Sequence, residues 1–270
     1  MLRVAFIFLL CSLVVACGDF PVWNAEEEAF EIVLVAGQSN THRGLGQVSS
    51  LDRPEEGVFQ LGRFHGYDYQ IFKAFEPLHH HTYRHGRVGF ALTFANLWVQ
   101  TYPSDKKLLL IPCGYAGTGF ATNHWNKGDP LFEDAVERVQ FVLDANPESE
   151  LKAVLWHQGE ADRENPNFQK DLDQFIDDLR AELNAEQVPF LLGGMVPHWV
   201  ELEENRKAVQ KILEQTPQRK EGVGYVDPMI PFVIEKPMNS KDEVHFDAEG
   251  QRELGRRYFG VYEQMVSEGV

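Results

Sequence analysis

Ser39 lies near the end of the stretch Val33-Leu34-Val35-Ala36-Gly37-Gln38-Ser39-Asn40, where a β-branched apolar run stops abruptly. Such a run reads as a buried strand that delivers a serine to a sharp turn at its C-terminal end, the place where open α/β sheets do chemistry. A serine hydroxyl attacks an acyl carbon only if a base removes its proton. His245, within Asp242-Glu243-Val244-His245-Phe246-Asp247, supplies an imidazole. Asp242, three residues earlier, can reach back across one turn of loop to fix the tautomer and stabilise the imidazolium. A tetrahedral intermediate further needs donors aimed at its oxyanion. The backbone amides of Ser39 and Gly117 suit this role, since glycine allows close approach of the backbone. The Gln158 side-chain amide offers a third donor. The chemistry these residue types would perform together is ester cleavage through a serine.

The elements that must position them follow from periodicity. Apolar runs at 32–36, 108–112, 153–157, 190–193 and 224–226 read as strands. Amphipathic segments lie between them. Phe168, Leu172, Phe175, Ile176, Leu179 and Leu183 fall on one face of a predicted helix over 167–185. Asp129-Pro130 reads as an N-cap and a first-turn proline opening a helix to about 143. Further helices are predicted over 90–102, 200–213 and 248–265, with Asp247 as the N-cap of the last. Alternation of this kind predicts a parallel sheet with helices on both faces. Ser39 follows the first strand, Pro112-Cys113-Gly114-Tyr115-Ala116-Gly117-Thr118-Gly119 the second, and His157-Gln158-Gly159-Glu160-Ala161-Asp162 the third, so the three clusters converge at neighbouring strand ends. The segment 48–89, rich in Gly, Pro, His and aromatics, is expected to form an excursion over those ends and to shape a cleft.

These motifs carry a resemblance. Gly37-Gln38-Ser39-Asn40, Trp156-His157-Gln158-Gly159-Glu160-Ala161-Asp162, and Asp242-x-x-His245-Phe246-Asp247 followed by Gln251-Arg252-Glu253-Leu254-Gly255-Arg256-Arg257-Tyr258 resemble the signature blocks of SGNH-type hydrolases. The branch they resemble is that of the sialate O-acetylesterases and acetylxylan esterases. The resemblance runs from about residue 32 to 258, and three blocks in the right order are far more specific than any one. It implies a three-layer α/β/α, flavodoxin-like fold and cofactor-free removal of acetyl groups from carbohydrates. One block departs from the family pattern: Ala116-Gly117-Thr118 stands where Gly-Gly-Thr is usual, which leaves open whether the amide of residue 116 or 117 faces the oxyanion. Trp125 stands where family members carry a tryptophan that could stack on a sugar face.

Blander readings compete. A serine after a strand is commonly a turn residue, and Gly37-Gln38-Ser39-Asn40-Thr41 is not the Gly-x-Ser-x-Gly elbow. Glu160 and Asp162 could pass for the carboxylate pair of a glycosidase, although their spacing better suits hydrogen bonding that organises the site. Asn40 reads as support for the turn or a neighbouring loop. His79-His80-His81 with His85 invites a metal site, but consecutive histidines on an extended segment alternate faces, and no His-Glu-x-x-His pattern occurs. A polar loop is the simpler reading, with no metal or cofactor expected. A non-catalytic glycan-binding protein, a metal-dependent hydrolase and an esterase for lipid or other acyl esters are the rival functions.

Composition sets the remaining bounds. The chain has 270 residues and a formal charge of −16 without a basic run, which argues against nucleic acid as a partner. Residues 1–17 read as a signal: a basic start, an apolar run over 4–15 shorter than the about 20 residues of a membrane span, and Cys17 after a small residue as in bacterial lipoproteins. An exported protein is expected. It would be lipid-anchored through Cys17 in the cell envelope, in the periplasm or at the outer membrane, and otherwise secreted. The catalytic domain is expected over 24–270. Cys113 is then the only cysteine of that domain and is read as a buried hydrophobe, so the fold must be held by its core rather than by a disulfide.

Overall fold

The computed structural model describes residues 22–64, 66–235 and 241–269. The expected signal segment and Cys17 lie outside the described residues. The strands are β1 (Val22–Trp23), β2 (Phe30–Gly37), β3 (Gly44–Leu45), β4 (Val58–Leu61), β5 (Ile71–Lys73), β6 (Arg87–Val88), β7 (Lys107–Pro112), β8 (Glu150–His157), β9 (Phe190–Gly193) and β10 (Val223–Val226). The helices are α1 (Ala91–Thr101), α2 (Pro130–Ala145), α3 (Phe168–Leu183), α4 (Pro197–Glu201), α5 (Glu204–Gln215) and α6 (Ala248–Ser267).

The main sheet runs in the order β1-β5-β4-β7-β2-β8-β9-β10. All pairings from β4 to β10 are parallel, and β5 and β1 add an antiparallel edge. β2 sits centrally between β7 and β8. Helices α1 and α6 pack on each other as one layer, while α2, α3 and α5 form the other. This is the three-layer α/β/α architecture expected. β2 is buried at every position but Glu31. A strand covered on both faces reads as a continuous apolar run, which is why it was visible in the sequence.

The helical stripe of α3 is buried as its spacing predicts: Phe168, Leu172, Phe175, Ile176, Leu179 and Leu183 all face the core. Asp247 caps α6 by accepting from Gly250 N at 2.8 Å. Asp129 precedes α2 as expected, yet its carboxylate makes no cap bond and instead accepts from Asn126 N and Nδ2 at 2.9 and 2.8 Å. The single helix predicted over 200–213 is two, because the chain turns after Glu201 and restarts at Glu204. The excursion 48–89 is more ordered than expected, since β4 and β5 within it extend the sheet. No helix among the described residues is long and apolar enough to cross a membrane.

Candidate active site

The chain moves from β2 to β7 on one side of the sheet and then to β8 on the other, so the end of β2 is a topological switch point. Gly37 ends β2 with φ +122°, and a Cβ there would lie 2.2 Å from the His157 carbonyl oxygen. Glycine therefore lets β2 and β8 close at the point where the chain must turn. Ser39–Thr41 then form a single 3-10 turn, closed by Thr41 Oγ1 donating to Gln38 O at 2.7 Å.

Ser39 Oγ lies 2.9 Å from His245 Nε2. Both carboxylate oxygens of Asp242 accept from His245 Nδ1, at 2.9 and 2.8 Å, and Oδ1 also accepts from His245 N at 3.2 Å. A proton held on Nδ1 by the carboxylate leaves the Nε2 lone pair facing the serine hydroxyl. Ser39 is nearly buried, and Asp242 is the half-open end of the line at 42% side-chain exposure.

Ser39 and His245 open on a cavity of about 650 Å³, also lined by Gln38, Ala116, Gly117, Thr122, Glu160 and Ala161. Arg43, Arg163, Arg206, Trp199 and Val244 complete it. Gly117 has φ +77°, which turns this segment sharply beside the serine. The amides of Ser39 and Gly117 donate to no described protein group. They are thus available to a carbonyl oxygen placed in the cavity.

The side chains flanking Ser39 are held by one carboxylate. Glu160 is buried at the floor of the cavity, and burial pushes its pKa up to about 7 against the opposing hydrogen bonds from its own amide and Asn40. Its Oε2 accepts from Gln38 Nε2 and its Oε1 from Asn40 Nδ2, each at 2.5 Å. Asp162, one turn on, accepts from Phe120 N, Ala121 N and Asn165 Nδ2, fixing the loop that carries Gly117.

A family model described as carbohydrate esterase, sialic acid-specific acetylesterase, matches residues 29–264. The chain belongs to this family. It is 30% identical over 145 residues to a probable carbohydrate esterase of Arabidopsis thaliana, a match covering 51% of this chain and 53% of that protein. The match thus spans about half the length of that relative. The fold is similar to the crystal structure of NanS, with a TM-score of 0.73 at 20% identity over 89% of this chain and 98% of that one. It is also similar to the X-ray structure of the Arabidopsis thaliana protein, with a TM-score of 0.72 at 24% identity over 87% and 98% of the two chains. Those likenesses establish the shared fold.

Two expected site residues of this carbohydrate esterase stand elsewhere. Gln158 does not face the cavity. It is fully buried, and its Nε2 donates to Asp162 Oδ2 at 2.6 Å and to Thr118 O at 3.4 Å, so both amide hydrogens are spent inside the protein. The expected donors that keep a free N–H at the cavity are then backbone amides, that of Ser39 and that of residue 116 or 117. Trp125 is also fully buried. Its Nε1 donates to Thr118 Oγ1 at 3.0 Å and its ring is covered edge-on by Trp156, so no face is left for a sugar.

The histidine run divides among three partners, as alternating faces require. His79 Nδ1 accepts from Arg63 N, His80 Nδ1 accepts from Gly114 N, and His81 Nε2 reaches Asp134 Oδ2 at 3.1 Å. His85 stands edge-on to Tyr83. Among the described residues no group of three or more His, Cys, Asp or Glu is placed to hold a metal ion. Cys113 is fully buried with its thiol pKa pushed up to about 12, consistent with a structural role.

No described residue of the excursion 48–89 lines the cavity. The excursion braces the turn from behind instead. Thr82 Oγ1 donates to His42 Nε2, His42 Nδ1 donates to Thr41 Oγ1, and His42 stacks on His80 with ring centroids 4.9 Å apart. Burial keeps His42 neutral, with its pKa lowered to about 3.

Sequence reading overlooked Arg43, Arg163, Trp199 and Arg206. Arg163 directly follows the Glu160-Ala161-Asp162 turn, which was the available signal. Trp199 and Arg206 lie on α4 and α5 and carry no motif; the Arg206 guanidinium sits 4.1 Å over the Trp199 ring.

Proposed function

We propose that this protein is a serine esterase that removes O-acetyl groups from a carbohydrate. The line Ser39–His245–Asp242, opening on a cavity with two unspent backbone amides, carries the reading. Ser39 Oγ attacks the acetyl carbonyl as His245 Nε2 takes its proton. Asp242 holds the resulting imidazolium, and the Ser39 and Gly117 amides receive the negative charge on the carbonyl oxygen. Collapse expels the sugar alkoxide, which takes the proton from His245. Water then attacks the acetyl-enzyme with His245 again as base, releasing acetate and restoring the serine.

The sugar we infer is acidic, of the sialate type. Three arginines line the cavity of a chain whose formal charge is −16. The Arg43 guanidinium makes no described salt bridge or hydrogen bond, the Asp242 carboxylate acting on it only through its charge, and its Nε is buried. A guanidinium so placed favours a substrate carboxylate. Export, with lipidation at Cys17, is part of the same proposal and rests on the sequence of residues 1–17.

The test is acetate release from O-acetylated sialic acid, acetylated xylan and p-nitrophenyl acetate by wild type and Ser39→Ala. Loss of turnover with an unchanged fold is expected for the variant. Wild-type rates from Ser39→Ala, or activity that vanishes with chelator and returns with zinc, would overturn the mechanism. No release from any acetylated glycan would point to a binding protein.

A further inference from the structure

Two amide side chains bracket the serine in sequence, and one of them also brackets the histidine in space. Gln38 and Asn40 flank Ser39. Asn40 Nδ2 donates to Val244 O at 2.9 Å, and Asn40 Oδ1 accepts from Phe246 N at 3.1 Å. Val244 and Phe246 flank His245. The carbonyl of Asn40 in turn accepts from Gln251 Nε2 on α6 at 2.9 Å. Asn40 thus ties the nucleophile's turn to the main chain on both sides of the base.

An amide has nearly the same shape either way round, so something must select its orientation. If Asn40 were reversed, its oxygen would face the Val244 carbonyl and its NH₂ would face the Phe246 amide. Both contacts would be repulsive. Val244 O and Phe246 N therefore fix which way round Asn40 stands, and the Glu160 carboxylate, which in its ionised form only accepts, matches that orientation and extends it to Gln38. Glu160 Oε1 takes one Asn40 Nδ2 hydrogen, leaving the other for Val244 O, while Glu160 Oε2 takes Gln38 Nε2. Gln38 Oε1 is then left to accept from Ala161 N at 3.2 Å. Every donor and acceptor in the network from Ala161 to Phe246 has one consistent assignment, and Glu160 is the acceptor that joins its two amides.

We propose that Glu160 is a positioning residue that sets the mutual placement of Ser39 and His245 through Gln38 and Asn40, acting without touching the acyl group. The inference rests on the reading of Ser39 and His245 as nucleophile and base. Replacing the carboxylate by an amide of the same shape puts an NH₂ against one of two existing NH₂ groups. The loop 242–246 then loses its register with the turn, and a misplacement of about 1 Å costs a rate factor of about 100.

The decisive comparison uses Glu160→Gln, Gln38→Glu and the double variant, with kcat and KM for p-nitrophenyl acetate and the rate of labelling by a fluorophosphonate. Glu160→Gln is expected to lower kcat and the labelling rate about 10- to 100-fold, with KM within about threefold. In the double variant donor and acceptor exchange places. The amide now at position 160 donates to the carboxylate now at position 38 and still accepts from Asn40, so most of the lost kcat should return. A Glu160→Gln enzyme within threefold of wild-type kcat overturns the inference. So does a loss that the exchange fails to recover. If Glu160→Gln does not fold, Asn40→Ala isolates the arm that reaches His245, and an unchanged kcat there overturns it equally. Ser39→Ala in parallel keeps the two readings apart, since wild-type turnover in that variant sinks the nucleophile assignment itself.

Discussion

Trp125 stands edge-on to Trp156, with ring centroids 5.0 Å apart and planes at 88°. The pair belongs to the aromatic core that includes Phe120 and Phe175, beneath the loop that carries Gly117. Replacing Trp125 by Ala should therefore cost about 3–5 kcal/mol of stability, read by urea unfolding. Sugar KM of the folded fraction should stay within about twofold of wild type. Trp199→Ala should differ by raising KM about tenfold, because this ring lines the cavity; at 7% exposure it is also part of the core, so a loss of stability accompanies the change. A raised KM in Trp125→Ala without loss of stability would restore the stacking role to that ring.

Asp242 accepts from both the ring and the main chain of His245, so its loss should disturb tautomer and loop together. Asp242→Asn is expected to lower kcat by a factor on the order of 10²–10⁴ with KM nearly unchanged. Acetate release under saturating substrate measures this. A loss smaller than tenfold would show that the half-exposed carboxylate does not orient the base.

Arg43 is the cavity arginine whose guanidinium makes no described hydrogen bond or salt bridge, and a charge-assisted hydrogen bond to a substrate carboxylate contributes about 1.5–3 kcal/mol. Arg43→Gln should raise KM for O-acetylated sialic acid by about 10- to 100-fold relative to KM for a neutral acetylated sugar. Equal effects on the two substrates would argue that Arg43 reads no charge.

His157 is buried beneath Gly37, with its pKa lowered from 6.5 to about 3 by burial alone. The unfolded chain binds its proton at higher pH than the folded one does. This contribution to stability is fully present above about pH 6.5 and is lost as the pH falls toward about 3. At pH 5 the loss is about 2 kcal/mol. The drop in unfolding free energy between pH 7 and pH 5 should shrink by about that amount in His157→Gln. An unchanged pH dependence would mean that the ring ionises normally.

What could be read from the chain, and what could not, follows from where each residue lies. β2, β7 and β8 are covered on both faces, so their apolar runs stand out, and α3 shows its buried stripe at helical spacing. β4 and β5 are only four and three residues long and lie among Gly, His and aromatic residues, which conceals them. Ser39, His245 and Asp242 were legible because acyl transfer demands a nucleophile, a base and an acid in known chemical relation. Spacing carries no information about where a buried amide turns. Gln158 accordingly looked like an oxyanion donor, whereas its hydrogens point to Asp162 and Thr118. Trp125 misled for a related reason, since an indole suits a sugar platform and a core equally well until its burial is known. The arginines of the cavity come from separate stretches, and only the folded chain shows them facing one space.

The Ser39–His245 contact joins positions 206 residues apart. On the proposed roles, an incomplete chain that has folded its sheet but not docked the segment after β10 holds the serine, yet has no base. Hydrolysis therefore switches on only when the last part of the chain is in place. In a refolding experiment acetate release should lag behind sheet formation, which makes catalysis itself a clock for the final docking of α6 and the loop before it.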